Sequence, residues 1–277
     1  MRGLTDMTPK QFAEVSAIFG DVEPELDVNK RKYKVDEVSS VMRIGNTKDC
    51  NGNLNAMLAL TPPLPASGSP QYQYAERLPV WHTDSTYRKH PPIGSTLFCR
   101  QAPPEGGATC FADMREAYDS LDAAMQERLL GLECVCSQAH HDAKVNRYSP
   151  EYPVLSPEQR AANPPNRVPM VLQHPQTGRL ALYGMNSSTC AVLPKGTHLS
   201  AKQLDQYEVD VLEDASVEEW RKLLPSVTAD RFTVTWQWEV GDFVVWDNRC
   251  TMHCATGYDT EQHTREMWRT TLAADKV

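Results

Sequence analysis

The feature that most constrains the fold is a pair of motifs far apart in the chain, a His-x-Asp tripeptide at 82–84 and a single histidine at His253. Residues two apart in a strand point to the same side of it, so a strand would direct His82 and Asp84 together. Two imidazoles and one carboxylate are the facial ligand set that holds non-haem Fe(II) and leaves other positions open. If His253 completes that set, a late strand must fold back beside residues 82–84.

Each of these residues also has an ordinary structural explanation. A His-x-Asp tripeptide arises readily by chance, and a single histidine is more often a surface residue or a hydrogen-bonded core residue. The surroundings favour a site, because Trp81 adjoins the tripeptide and Arg265 and Arg269 follow His253 on a predicted strand. An arginine directed inward is costly unless an anion meets it, and its planar fork suits a carboxylate. Ion pairs with surface carboxylates are the alternative.

Size and composition narrow the classes of function. The chain has 277 residues, 40% hydrophobic and 23% charged, a profile typical of a globular protein with a sizeable core. Its net charge of −8 argues against nucleic acid or an anionic membrane as the main partner. No apolar run has the length of a signal peptide or a membrane span. The eight cysteines form no C-x-x-C pair, which disfavours a thiolate zinc site and favours a reducing cytoplasmic location.

Short strands separated by turns dominate the later half of the chain. Alternating apolar residues from Phe232 to Trp238 predict a half-buried strand. Further strands are predicted at Ser95–Arg100, Leu180–Met185, Phe243–Trp246 and Met267–Ala273. The strands do not alternate regularly with helices. This pattern favours an all-β barrel or sandwich with helices packed outside, and disfavours a Rossmann-type sheet.

Capping signals predict the helices. A capping box at Thr8–Gln11 begins the first helix and Gly20 ends it, and one or two helices fill Asp113–Leu132. Two more begin at Ser200 and Ser216, the second closing at Pro225.

A segment between the predicted helices and strands has a different character. Residues 140–169 hold six prolines and little periodicity, which predicts a long loop. We expect one domain over residues 1–277, with a lid or substrate loop around 140–170.

Four segments, taken together, resemble the TauD/TfdA family of Fe(II)/2-oxoglutarate-dependent dioxygenases. They are Trp81–Tyr87, similar to the family's W-H-[ST]-D segment; Pro104–Thr109 with Asp113–Tyr118, similar to P-x-G-G-x-T…A-Y; Gly241–His253, similar to G-D-x-x-x-W-D-N-R-x-x-x-H; and Arg265–Leu272, similar to the closing R-x-x-x-R segment. The likeness runs over nearly the whole chain. It implies a mainly β fold with flanking helices, a distorted double-stranded β-helix (a cupin-like jelly roll).

The resemblance also implies a role for each matching residue. His82, Asp84 and His253 would be the iron ligands and the catalytic centre. Arg265, assisted by the Thr109 hydroxyl, would bind the distal carboxylate of the cosubstrate 2-oxoglutarate. Arg269 would contact the cosubstrate's other end or an acid group of the substrate.

The implied reaction is oxidation of an unactivated C–H bond by O2, with release of succinate and CO2. Asp84 occupies the position that related halogenases leave open for chloride, so hydroxylation is favoured, with desaturation or ring closure as alternatives. The expected substrate is a small carboxylate-bearing molecule, on the aryloxyacetate side of the family. Asn186 is a candidate pocket residue, although a structural asparagine in a turn is the favoured explanation. A homodimer or homotetramer is an open expectation.

Two other functions are alternatives to the dioxygenase interpretation. A zinc-type metal hydrolase can use two histidines and one aspartate with a water in the open position. A non-catalytic jelly-roll binding protein would need no open metal site. Arg265, Thr109 and the order of motifs along the chain favour the dioxygenase.

Overall fold

The computed structural model describes residues 1–24, 33–35, 38–48, 52–53, 81–200, 202–204 and 215–274. The helices in these residues are α1 (Pro9–Ser16), α2 (Met114–Asp119), α3 (Ala123–Leu130), α4 (Gln138–Tyr148), α5 (Pro157–Ala162) and α6 (Ala215–Val227). The strands are β1 (Val22–Glu23), β2 (Lys34–Val35), β3 (Val38–Gly45), β4 (Gly94–Gln101), β5 (Thr109–Asp113), β6 (Leu132–Cys136), β7 (Asn166–Pro169), β8 (Val171–Gln173), β9 (Leu180–Leu182), β10 (Thr189–Pro194), β11 (Thr233–Trp236), β12 (Phe243–Asp247), β13 (Thr251–Ala255) and β14 (Glu266–Leu272).

Antiparallel sheets form the body of the molecule. The largest has the strand order β12-β4-β14-β3-β2, with β1 added on β14. Two three-stranded sheets have the orders β11-β5-β13 and β10-β6-β7, and β8 pairs with β9. The predicted mainly β class with flanking helices is therefore confirmed.

Two of these sheets pack face to face and position the site. Leu97 and Met267 lie on the large sheet, and they pack with Trp238, Trp246 and Phe111. Phe111 lies on β5 of the β11-β5-β13 sheet. The shared apolar layer holds β4 and β14 opposite β5 and β13. Residues on the inner faces of these four strands therefore point toward one another.

The first predicted helix is confirmed, although it is shorter than expected. Thr8 and Gln11 form the capping box, and Phe12 packs against Phe98, Phe243 and Trp268. The helix ends at Ser16, before the expected stop at Gly20. Asp113–Leu132 forms two helices, and Gly131 follows the second as predicted.

The structureless loop expected at residues 140–169 is wrong in its secondary structure. Most of the segment is covered by α4, α5 and β7. Ser137 caps α4, and Ser156 with Gln159 forms a capping box at α5. Proline at the first position of α5 starts that helix, so prolines that were read as loop residues in fact mark a helix boundary. A role for this segment in covering the substrate stays a prediction.

Two other details of the predicted elements are wrong. Val234 on β11 is 64% exposed, so the apolar side of the predicted half-buried strand is not covered at this position. Pro225 lies inside α6, which continues to Val227.

The helix start predicted at Ser200 has the hydrogen bonds of a capping box with Gln203: each residue's backbone N–H donates to the other's side-chain oxygen. The rest of that predicted helix lies largely outside the described residues. No helix in the described ranges is long and apolar enough to cross a membrane.

Candidate metal centre

The two histidines of the predicted ligand set meet across an isolated antiparallel bridge. The backbone N–H of His82 donates to the His253 carbonyl at 2.9 Å, and that of His253 donates to the His82 carbonyl at 2.9 Å. Their ring centroids are 4.2 Å apart. His253 lies on β13, so the expectation that a late strand folds back beside residues 82–84 is confirmed.

The expectation that residues 82–84 form a strand is wrong. His82 makes only the bridge, and a turn begins at Asp84. Ser85 has a φ of 52°, which is rare for a residue with a side chain, and this left-handed residue reverses the backbone immediately after Asp84. The isolated bridge holds His82 beside His253, and the turn begins at Asp84, so the three side chains lie close together at the start of the turn.

The three side chains converge with spacing that suits one ion. The Oδ1 atom of Asp84 lies 3.7 Å from Nε2 of His82 and 3.8 Å from Nε2 of His253. One ligand atom from each residue lies within 4.8 Å of the other two. Ligands bonded at about 2 Å to a common ion lie about 3 to 4 Å apart, so the donor set and its spacing fit a metal.

The other carboxylate oxygen of Asp84, Oδ2, is held by a hydrogen bond and an ion pair. Ser95 on β4 donates its hydroxyl to Oδ2 at 2.7 Å, and Nη2 of Arg269 on β14 lies 3.2 Å from the same oxygen. Burial alone would raise the pKa of the Asp84 carboxyl. Arg269, the two imidazoles and Ser95 outweigh burial and hold that pKa well below its usual value. Asp84 is therefore an ionised group with one oxygen directed at the imidazoles.

The electrostatics also keep His253 neutral. Burial, and then the proximity of His82, lowers the pKa of His253 to about 3. A neutral imidazole has a nitrogen lone pair free to bind a metal. The charge state of His253 at neutral pH therefore fits the role of a ligand.

A buried arginine lies farther along the same inner faces. Arg265 is 6% exposed, its Nε donates to the Gly107 carbonyl at 2.8 Å, and its Nη2 lies 3.4 Å from the Thr109 hydroxyl. Within the described part of the chain, no carboxylate pairs with this guanidinium. Burial lowers the pKa of Arg265, but an arginine remains charged at neutral pH. A buried cation without a counter-ion is costly, which makes this position a strong candidate for an anion site.

Backbone contacts fix where Arg265 can lie. Its N–H donates to Oδ1 of Asn46 at 2.8 Å, and the Tyr258 hydroxyl donates to the same oxygen at 2.9 Å. Gly45 has a φ of 132°, and a Cβ atom there would lie 1.8 Å from the Arg265 carbonyl oxygen. Only glycine permits this close approach.

Strand register relates Thr109, the neighbour of Arg265, to His253. His253 pairs with Phe111, and Thr109 lies two residues farther along β5 on the same face. Two residues of an antiparallel strand span about 7 Å. Thr109, which Arg265 contacts, therefore lies about 7 Å along β5 from the residue that pairs with His253.

Asn186 forms hydrogen bonds with the turn that carries Asp84. Its amide nitrogen donates to the Thr83 carbonyl at 3.3 Å and to the Thr86 hydroxyl at 2.7 Å, and its oxygen accepts the Ser188 N–H at 2.8 Å. Asn166 braces the same turn by donating to the carbonyls of Thr86 and Arg88. These contacts give Asn186 a structural function, and its role in substrate binding stays a prediction.

The W-D-N-R segment before β13 is held by its own network. Asp247 accepts hydrogen bonds from Nε and Nη2 of Arg249 at 2.9 and 2.7 Å, and Nε2 of His174 donates to it at 3.0 Å. The side-chain oxygen of Asn248 accepts the indole N–H of Trp246 at 2.9 Å. His174, Asp247 and Cys250 also cluster as metal-type side chains, but the hydrogen bonds of Asp247 occupy its carboxylate. The segment therefore sets the path of the chain into β13.

Comparison with known proteins agrees with this geometry. The model of the family described as taurine catabolism dioxygenase TauD, TfdA family matches residues 1–271. The chain belongs to the TauD/TfdA family. It is 34% identical over 201 residues to the alpha-ketoglutarate-dependent 2,4-dichlorophenoxyacetate dioxygenase of Cupriavidus pinatubonensis, covering 72% of this chain and 61% of that protein. It is 34% identical over 198 residues to the (S)-phenoxypropionate/alpha-ketoglutarate-dioxygenase of Delftia acidovorans, covering 70% of this chain and 60% of that protein.

A solved structure extends the likeness to the fold. The crystal structure of AAD-2 in complex with Mn(II) and N-oxalylglycine superposes with a TM-score of 0.68 and 25% identity, over 98% of this chain and 81% of that one. The predicted family and the distorted double-stranded β-helix are confirmed. The chain spans about three fifths of the length of the two curated relatives.

Two residues that contact the site were missed by sequence reasoning. Ser95 supports Asp84, and the indole of Trp238 donates to the Thr109 hydroxyl. Ser95 is fully buried on β4, and the sequence carries no clear signal of its contact with Asp84. Trp238 was assigned only to the alternating pattern of a strand.

Proposed function

We propose that this chain is an Fe(II)- and 2-oxoglutarate-dependent dioxygenase. Its reaction would be the oxidation of an unactivated C–H bond of a small carboxylate-bearing molecule, with release of succinate and CO2. The observation that carries the proposal is the convergence of His82, Asp84 and His253 near a buried arginine that has no carboxylate partner among the described residues. That arginine contacts Thr109, which lies about 7 Å along β5 from the residue that pairs with His253. A metal hydrolase has no need of that arginine.

The residues of the site would divide the work. The Nε2 atoms of His82 and His253 and Oδ1 of Asp84 would hold the iron on one side and leave its other side open. When bound, the iron supplies oxidation of the substrate by O2, coupled to decarboxylation of 2-oxoglutarate. Arg265 and Thr109 would hold the distal carboxylate of 2-oxoglutarate and so fix the direction of the cosubstrate.

The surroundings of the iron ligands bear on the outcome and the substrate. Asp84 fills the third protein position, which leaves no place for a chloride ligand and favours hydroxylation, desaturation or ring closure over halogenation. Arg269 pairs with Asp84, and its buried Nε has no hydrogen-bond partner among the residues that the structure describes. That nitrogen supports a contact with the cosubstrate's other end or with an acid group of the substrate. Both curated relatives described above are named for aryloxy acids, so aryloxyacetates are the first substrates to test.

Turnover by the purified chain tests the proposal. The chain is supplied with Fe(II), 2-oxoglutarate and O2, and succinate is measured with each of a panel of small acids. Aryloxyacetates, sulfonates and amino-acid derivatives form the panel, and neutral molecules of matched size are the controls. Succinate formation stimulated by an acid supports the proposal. Zn(II)-dependent hydrolysis that is indifferent to 2-oxoglutarate would favour the hydrolase, and ligand binding without turnover under any metal would favour the binding protein.

The cellular location and the oligomeric state of the protein are also proposals. The seven cysteines in the described residues are free thiols, in keeping with a reducing cytoplasmic location. A homodimer or homotetramer, and the absence of nucleic acid and membrane partners, stay predictions.

A further inference from the structure

The hydroxyl of Thr109 is surrounded by hydrogen-bond donors. The indole Nε1 of Trp238 donates to it at 2.9 Å, and Nη2 of Arg265 lies 3.4 Å from it. Thr109 is 2% exposed. A hydroxyl offers one proton and two acceptor positions, so these two donors occupy both acceptor positions. No acceptor for the remaining proton lies among the residues that the structure describes.

The direction of the Trp238 contact is fixed by chemistry. An indole N–H can only donate, and a guanidinium can only donate. Thr109 must therefore accept from both neighbours, and its own proton must point to a third group. A buried donor that lacks an acceptor is destabilising, so this arrangement favours a bound acceptor.

Trp238 is itself held firmly in place. Its side chain is 8% exposed and packs with Leu97, Trp246 and Met267 in the layer between the two sheets. The indole of Trp236 packs against it edge to face, with the ring centroids 6.5 Å apart. These contacts restrict the indole, so its N–H is aimed at Thr109 before any ligand arrives.

We propose that Trp238 is a positioning residue for the cosubstrate. By filling an acceptor position of Thr109, it compels that hydroxyl to donate to the carboxylate that Arg265 attracts. The inference rests on the proposed function and extends it, because it assigns a source for the preference for a second carboxylate. Without the indole, Thr109 can rotate and accept from Arg265 alone.

The chain offers a closely matched control. Trp236 lies two residues before Trp238, but its indole N–H donates to Asp242 at 3.1 Å instead of to Thr109. Phenylalanine at either position removes the N–H and keeps most of the aromatic packing. Trp238→Phe and Trp236→Phe therefore differ in the Thr109 contact.

Calorimetry on the Fe(II)-loaded protein without O2 tests the proposal. The ligands are 2-oxoglutarate and pyruvate, an α-keto acid that lacks the second carboxylate. Trp238→Phe should weaken binding of 2-oxoglutarate about fivefold or more, the effect of one lost hydrogen bond, and leave pyruvate binding unchanged. Trp236→Phe keeps an aromatic ring against Trp238 and does not alter the Thr109 contact, so it should leave both affinities unchanged. Equal loss for both ligands, or no loss for 2-oxoglutarate, overturns the proposal.

A double-mutant cycle separates positioning from packing. In the Thr109→Val background there is no hydroxyl to orient, so Trp238→Phe should cause no further loss of 2-oxoglutarate affinity. Additive losses would show that Trp238 acts independently of Thr109, and would overturn the proposal. Failure of the unmodified protein to bind 2-oxoglutarate would instead refute the proposed function, and this inference with it.

Discussion

Replacement of Ser95 by alanine is expected to weaken metal binding without disturbing the fold. The change removes the hydroxyl that donates to Oδ2 of Asp84 at 2.7 Å and leaves Oδ1, which faces the imidazoles, untouched. Because Ser95 is fully buried on β4, no surface contact is lost with it. The structure therefore predicts an effect that reaches the metal only through the orientation and charge of Asp84.

The size of the effect follows from the contacts of Asp84. A hydrogen bond to a charged group contributes about 1.5 to 3 kcal/mol. Arg269 remains 3.2 Å from the same oxygen, so part of the restraint on the carboxylate survives. Loss of an outer contact of a metal ligand usually weakens metal binding about 10- to 100-fold. We expect the lower end of that range, about tenfold or about 1.4 kcal/mol.

Titration of Mn(II) into the metal-free protein at neutral pH, followed by calorimetry, measures this effect. The matched control is Thr96→Val, which removes the neighbouring buried hydroxyl. Thr96 bonds to Ser16 and Thr270 at 2.9 and 2.7 Å and does not contact Asp84. The control should lower the thermal stability and leave the Mn(II) affinity unchanged. Equal Mn(II) affinities for Ser95→Ala and the unmodified protein, or an equal loss in Thr96→Val, would refute the reasoning.

Three further predictions concern other residues of the site. Arg265→Gln should weaken 2-oxoglutarate binding about 100-fold or more, because it leaves a buried carboxylate unpaired, while calorimetry shows Mn(II) affinity within about twofold of the unmodified protein. The folded-state pKa of His253 is about 3, below an unfolded value of about 6.5, so the unfolded state binds more protons between these values. Denaturant unfolding of the metal-free protein should therefore show stability falling by up to about 1.4 kcal/mol per pH unit as the pH drops from 6.5 toward 3, and His253→Asn should flatten that slope. Asn186→Ala should lower the melting temperature and the Mn(II) affinity together, because it releases the turn that carries Asp84; a melting temperature that is unchanged would contradict the bracing role.

The metal ligands could be predicted from the sequence because their chemistry is local. The identities of His82, Asp84 and His253 limit the ions they can bind whatever the backbone does. The backbone at 82–84 could not be predicted in the same way. The sequence does not reveal that the chain turns at Ser85 instead of continuing as a strand, because the turn is held by tertiary contacts such as the Asn186 amide on the Thr86 hydroxyl.

The supporting residues were harder to predict, because their roles depend on partners distant in the chain. Ser95 acts on a residue 11 positions away, and Trp238 acts on one 129 positions away. The exposure of Val234 likewise depends on whether another element covers its face of the sheet, which alternation alone does not reveal. In residues 140–169, proline and serine are common both at helix starts and in loops, so their presence alone does not distinguish the two.

The central claim is that one site holds both an iron ion and a 2-oxoglutarate molecule. Anaerobic titration of 2-oxoglutarate into the Fe(II)-loaded protein tests it most directly, with the visible absorption spectrum as the readout. A visible charge-transfer band that grows to saturation at one 2-oxoglutarate per iron is the expected result. His82→Ala should abolish the band, and Arg265→Gln should shift its saturation to higher 2-oxoglutarate. The absence of any band at saturating Fe(II) and 2-oxoglutarate would contradict the account.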